Sequence, residues 1–230
     1  MTQSRILALA VLVLVMAVAV AAPAYAAGFI VDVLTKGGAI GIVIILLSVA
    51  TLAMVIEFSV NIRRDKICPP ELVDELEALL EEEEYQEALE LCESEPNFLT
   101  NSLAAGLPRL NEGYPKMKEA MEAQAGIEAV KLQQKVGWML FLSNVAPMLG
   151  LFGTVYGMIM AFNEIVRLGA KVTPADLASG ISTALVTTFL GLLVAIPALA
   201  AYQYFRNKAT RISIDFAGIL EDMTERFRNR

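Results

Sequence analysis

Five hydroxyl side chains lie inside two long apolar stretches of the chain: Thr154 in the first, and Ser182, Thr183, Thr187 and Thr188 in the second. A single Ser or Thr in an apolar helix commonly donates to a carbonyl of the preceding turn. Four hydroxyls between 182 and 188 favour a face that does not contact lipid. They predict either the lining of a polar lumen or a contact with a partner helix, and helix packing alone is the alternative.

The chemistry open to these hydroxyls is limited by the absence of a charged group beside them. No Asp, Glu, Lys or Arg occurs between Asn144 and Asn163, or between Asp176 and Arg206. A proton path through a bilayer needs groups that bind and release protons. Hydroxyls pass a proton along through water but do not hold one near neutral pH. A working path would therefore need a carboxylate from another chain.

Several classes of chemistry are excluded by composition. The chain contains no His, which removes His-based triads and His–metal sites. Cys68 and Cys92 lack metal spacing and further ligands, so we expect reduced thiols. No basic stripe is available to neutralise the phosphates of a nucleic acid. We predict a protein that is not an enzyme, with no catalytic residues, no metal and no cofactor.

The apolar content predicts an all-α integral membrane protein. The 230 residues are 56% hydrophobic, with a mean hydropathy of +0.57, and the excess lies in a few long runs. Three long transmembrane helices are expected, at about 38–58, 136–165 and 177–205. Lys and Arg mark the cytoplasmic end of a span, and Arg63, Arg64 and Lys66 follow the first span directly.

The remaining segments complete a five-part organisation. Residues 1–27 are predicted to be a signal peptide or an uncleaved N-terminal helix, because Ala24-Tyr25-Ala26 follows an apolar run. Residues 28–69 are expected to contain the periplasmic N-terminus and the first span, and residues 70–135 a cytoplasmic helical domain. Residues 136–205 are expected to form the other two spans, and residues 206–230 a cytoplasmic tail. This gives a multi-pass protein of the bacterial inner membrane, with a periplasmic N-terminus after cleavage and a cytoplasmic C-terminus.

The expected cytoplasmic domain is strongly acidic. Net charge is -7. Residues 71–95 contain twelve acids and no Lys or Arg: Glu71, Asp74, Glu75, Glu77, Glu81, Glu82, Glu83, Glu84, Glu87, Glu90, Glu93 and Glu95. The acid run at 81–84 is most often a solvated turn or helix face, and a basic partner is the alternative. In the tail, Ile212, Phe216, Ile219 and Met223 have helical spacing, which predicts packing on the helical domain.

Small residues recur in the second and third spans. Gly153, Gly157 and Ala161 are four residues apart, as are Gly180, Ala184 and Thr188. In lipid, such rows let helix backbones approach and gain packing contacts. The residues predicted to serve helix packing are Gly150, Gly153, Gly157, Gly180, Gly191, Pro147 and Pro197.

Two motifs in these spans carry a family resemblance. Residues 146–162 resemble the P-x-L-G-L-x-G-T-V-x-G-M signature of the ExbB/TolQ/MotA proton-channel family. Residues 180–198 resemble its G-I-x-x-A-L-x-T-T-x-x-G-L-x-x-A-I-P-A signature. The similarity extends over about 38–210, and three spans with a short link are similar to the ExbB/TolQ branch, the biopolymer transport proteins of the ExbB kind.

The resemblance implies a function and partners. It implies a homo-pentamer enclosing a single-span ExbD/TolR-like protein that carries a membrane Asp. Proton flow past that Asp would drive rotation and energise outer-membrane transport, with a TonB-like periplasm-spanning protein as a further partner. The family's channel threonines match Thr154 and Thr188, and Thr183 and Thr187 lie beside them. Thr183 stands where the ExbB type has Glu. A passive membrane scaffold and a TolQ-like role in envelope integrity are the alternatives.

Overall fold

The computed structural model describes residues 37–225 and residue 227. The α-helices are α1 (Gly38–Asn61), α2 (Arg64–Ile67), α3 (Pro70–Glu81), α4 (Tyr85–Ser94), α5 (Phe98–Gly106), α6 (Tyr114–Leu168) and α7 (Pro174–Glu225). Short 3-10 helices occupy Leu107–Glu112 and Gly169–Lys171. No strand occurs in the described residues, which confirms the all-α prediction.

Three helices are long and apolar enough to cross a membrane, namely α1, α6 with its 3-10 extension to Lys171, and α7. The prediction of three spans is confirmed, and the chain is a multi-pass membrane protein. The predicted signal segment at 1–27 lies outside the described residues.

The chain divides into two compact units. The span unit contains, among the described residues, 37–56 and 138–204. In it, Ile44 of α1 and Leu190 of α7 form a buried cluster, against which Leu149 of α6 packs. Large apolar side chains elsewhere on these helices are exposed in the single chain, including Leu151, Phe152 and Ile196. This outward apolar surface is what a helix in lipid requires.

The polar unit contains 57–137, 205–225 and 227. Its short helices form because apolar residues recur at helical spacing: Leu72, Leu76 and Leu80 are buried on α3. Asn97 caps α5 by accepting from the amides of Leu99 and Thr100. The last part of α7 packs in the same unit, because Phe216 lies 5.4 Å from Phe98 between ring centroids. Of the apolar stripe predicted for the tail, Ile212, Phe216 and Met223 are buried, and Ile219 is partly exposed.

Candidate functional site

The second and third spans approach each other at their small residues. A Cβ placed on Gly157 would lie 2.5 Å from the carbonyl oxygen of Gly180 and 2.8 Å from the amide of Ala184. A Cβ on Gly180 would in turn lie 2.6 Å from the carbonyl oxygen of Gly157 and 2.8 Å from the amide of Ala161. Neither position has room for a side chain, so α6 and α7 are in backbone contact here.

The same contact continues along the helix pair. A Cβ on Gly150 would lie 3.0 Å from the carbonyl oxygen of Thr187, and one on Gly191 would lie 2.6 Å from that of Ala146. At Gly153 the side chain of Thr187 fills the space that a Cβ would need. All five glycines predicted to serve packing therefore lie at the interface of α6 and α7 within one chain. Pro147 and Pro197 lie inside the same two helices.

A hydrogen-bonded pair of hydroxyls lies within this interface. The Oγ1 atoms of Thr154 and Thr188 are bonded to each other, and either can be the donor. Thr154 Oγ1 also lies 3.2 Å from the carbonyl oxygen of Gly150 and 3.3 Å from that of Ala184. Thr188 Oγ1 lies 3.2 Å from the same Gly150 oxygen. Both threonines are partly buried.

The other two threonines of the predicted site have a different setting. Thr187 is fully buried and bonds only within α7, to the carbonyl oxygens of Thr183 and Ala184, both at 3.0 Å. Thr183 is also buried, and its hydroxyl lies 3.1 Å from the carbonyl oxygen of Ser179. The structure thus brings Thr154 and Thr188 together across two helices, whereas Thr183 and Thr187 bond back to their own helix.

The hydroxyl pair has two possible hydrogen-bond arrangements. Each hydroxyl owns one proton and can accept others, and the shared bond uses one proton of the two. If Thr188 donates to Thr154, the Thr154 proton goes to the carbonyl of Gly150 or Ala184. If Thr154 donates, the Thr188 proton goes to Gly150. The site can therefore reverse the direction of its hydrogen bonds without moving the backbone.

Sequence reasoning missed the backbone acceptors of this site. The carbonyls of Gly150 and Ala184 receive the threonine protons, but every residue has a carbonyl, so residue type gives no signal. One pattern in the sequence could have indicated Ala184. Two spans joined by a short link run antiparallel, so residues equally far from that link lie at the same depth in the membrane. Thr154 and Ala184 each lie fifteen positions from Gly169.

The fold and the site together define a class of protein. The chain is a multi-pass, all-α membrane protein with a hydroxyl pair between two closely packed spans. Residues 92–217, more than half of the chain, match the MotA/TolQ/ExbB proton channel family. The chain belongs to this family, as its two signatures predicted. The family is one of proton channels, and the chain is a subunit of that kind.

Individual relatives carry names from both the ExbB and the TolQ branches. The chain is 31% identical over 178 residues to an ExbB-like biopolymer transport protein of Synechocystis, covering 76% of this chain and 69% of that protein. It is 44% identical over 124 residues to the biopolymer transport protein exbB1 of Vibrio cholerae, covering 49% and 54%. It is 35% identical over 106 residues to the Tol-Pal system protein TolQ of Haemophilus influenzae, covering 46% of each. The chain spans about half the length of these last two relatives.

Proposed function

We propose that this chain forms the proton-channel scaffold of an inner-membrane motor that uses the proton motive force to energise outer-membrane transport. The observation that carries the proposal is the Thr154–Thr188 hydroxyl pair between two spans that have no carboxylate of their own at this depth. The names of the ExbB-like relatives, which are biopolymer transport proteins, support the transport role.

The site needs a second chain to complete it. A proton relay requires a group that is protonated and deprotonated in each cycle, and the hydroxyl pair supplies only donors and acceptors. We therefore propose an ExbD/TolR-like single-span partner whose membrane Asp comes next to Thr154 and Thr188. The membrane potential supplies roughly 2.3 kcal/mol per charge per 100 mV. That is enough to bias a protonation step.

The reversible hydroxyl pair gives each threonine a role in this relay. When the partner carboxylate is ionised, one hydroxyl turns its proton toward it, which favours the charged form. When the carboxylate takes up a proton, the same hydroxyl accepts a hydrogen bond from it and donates its own proton to the other threonine. That second threonine then donates to a backbone carbonyl of α6 or α7. The pair thus serves both protonation states of the partner without leaving a buried polar group unsatisfied.

The assembly and location belong to the same proposal. We propose a homo-pentamer around the partner, a TonB-like periplasm-spanning protein that receives the work, and protons as the coupling ion. Basic residues after the first and third spans support a cytoplasmic location for 70–135 and 206–230. A TolQ-like role in envelope integrity is the alternative use of the same motor, and the TolQ relatives favour it.

A passive scaffold is the competing function, and one observation favours it. The hydroxyls of Thr154 and Thr188 already have acceptors within the chain, so they satisfy each other without a channel. Thr154→Val and Thr188→Val separate the two functions, because valine nearly matches threonine in shape and removes only the hydroxyl. The proton-channel function predicts intact oligomers and loss of gradient-driven uptake.

The matched control is Thr183→Val, which removes a buried hydroxyl bonded only to its own helix. We expect this variant to retain most uptake at equal membrane levels. Thr154→Ser and Thr188→Ser keep the hydroxyl and should retain activity. Wild-type uptake in both Thr154→Val and Thr188→Val would favour the passive scaffold. Loss of uptake together with loss of the oligomer would make these threonines packing residues.

A further inference from the structure

Basic side chains cluster in the polar unit close to the ends of two spans. Arg63 comes two residues after α1 ends, and Lys208 lies on α7 just beyond the apolar span that ends at Phe205. The ring centroids of Phe58 and Phe205 are 5.7 Å apart, which brings α1 and α7 together at this level. The neighbouring charged residues are the basic Arg64, Lys66, Lys135, Arg206 and Arg211 and the acids Glu57 and Asp65.

Lys208 is an ammonium without a counter-charge in the part of the chain that the structure describes. It is half-buried, and no carboxylate of the described residues pairs with it within 4.0 Å. Its burial and the nearby charge of Arg63 both lower the pKa of Lys208. Two cations close together at the edge of a buried region repel each other and lose hydration.

The guanidinium of Arg63, close to the end of α1, has N–H donors that bind no described residue. Its Nε donates to the carbonyl oxygen of Ser59 at 3.0 Å, which fixes the side chain. Its terminal nitrogens have no partner among the described residues. Lys66, by contrast, donates to Asn61 Oδ1 at 2.8 Å, and Lys135 lies 4.0 Å from Glu57. Arg63 and Lys208 are therefore two cations of this cluster that an external anion can neutralise.

We propose that Arg63 and Lys208 bind the phosphate of an anionic phospholipid headgroup. A guanidinium and an ammonium on neighbouring ends of α1 and α7 are a favourable donor set for phosphate oxygens. The membrane supplies the anion, because both residues closely follow a span and so lie near the depth of the headgroups. Basic sites at the ends of transmembrane helices recognise acidic headgroups in this way. Free phosphate has the same chemistry and is distinguished by experiment.

The test uses the purified full-length protein in a non-ionic detergent. Phosphatidylglycerol or phosphatidylcholine is added to the micelles, and thermal unfolding is followed as a function of lipid fraction, because a bound lipid raises Tm. Each basic side chain near an anionic surface contributes about fivefold in affinity, so Arg63→Gln with Lys208→Gln should weaken the phosphatidylglycerol response about thirtyfold. Arg109→Gln with Lys116→Gln removes the same charge from exposed positions and should respond like the wild type.

A second measurement separates lipid binding from a structural role. Without phosphatidylglycerol, Lys208→Gln should unfold at or above the wild-type Tm, because it removes an unpaired cation beside Arg63. An equal loss of Tm with and without phosphatidylglycerol would overturn the proposal. Equal responses to the two lipids would also overturn it. Displacement of phosphatidylglycerol by inorganic phosphate at millimolar concentration would show a free-anion site instead.

Discussion

Cys68 and Cys92 are both buried free thiols among the described residues. Burial raises the pKa of Cys68 to about 11, although the charge of Arg64 partly opposes it. Burial, followed by the charge of Glu93, raises the pKa of Cys92 to about 12. Since the thiolate is the reactive form, both cysteines should stay protonated and unreactive up to about pH 9 in the folded protein.

Because the two native thiols should not react, the labelling of an introduced cysteine reports the orientation of the chain in the membrane. We predict that Gln86→Cys, at an exposed position of α4, reacts with a membrane-impermeant maleimide only when the cytoplasmic face is open. Lys171→Cys, in the exposed link between the last two spans, should react in intact spheroplasts. The measurement is labelling at pH 7.5 in intact spheroplasts and in inverted vesicles.

The unmodified chain is the control and should show little labelling in either preparation until it is denatured. Labelling of Gln86→Cys in intact spheroplasts would contradict the proposed orientation. Rapid labelling of the unmodified folded chain would contradict the burial of its two thiols.

At the scale of the element, α6 and α7 form an antiparallel pair with glycines at the contact. The contact leaves no space for a side chain at Gly157 or Gly180, whereas nothing lies within 4 Å of a Cβ built on Gly126 of the same helix α6. One helix therefore contains glycines that packing requires and a glycine that packing does not require.

Gly157→Ala and Gly126→Ala should have opposite effects on stability. The added Cβ at position 157 would meet the backbone of α7, so we expect destabilisation of about 1–3 kcal/mol through overpacking. Alanine at 126 restricts the unfolded chain and favours helix, so we expect a gain of about 0.5–1 kcal/mol. Thermal unfolding in detergent measures both. An equal loss for both variants would show that α6 is generally intolerant of change and would contradict the close contact.

The helices themselves were largely predictable from sequence, and the site only in part. Apolar runs and small-residue rows predicted the spans, because period and hydropathy depend only on local residues. Helix α6 is continuous through residue 136, because a change from polar to apolar residues does not break a helix. The Thr154–Thr188 bond depends on the rotation of one helix against another. A single sequence predicts the depth of each residue in the membrane, but it does not predict that rotation.

At the scale of the whole molecule, two features of the described helices are incomplete within one chain: the burial of their apolar surface and the proton-binding site. Large apolar side chains on the spans remain exposed, Val166 at 84% and Ile196 at 67%, so they require lipid or other copies. The hydroxyl pair lacks a proton-binding group at its depth. A motor built from several copies around a single-span partner would complete both features, which is the central claim of the proposed function.

Dissipation of a proton gradient by reconstituted protein tests that claim most directly. The chain is placed in liposomes alone, or co-purified with the single-span partner, and the decay of an imposed pH gradient is followed with a trapped dye. We predict no decay above that of empty liposomes for the chain alone, faster decay for the complex, and loss of that decay in the complex with Thr154→Val and Thr188→Val. Proton leak through the chain alone, or a complex that conducts equally well without both hydroxyls, would contradict the account.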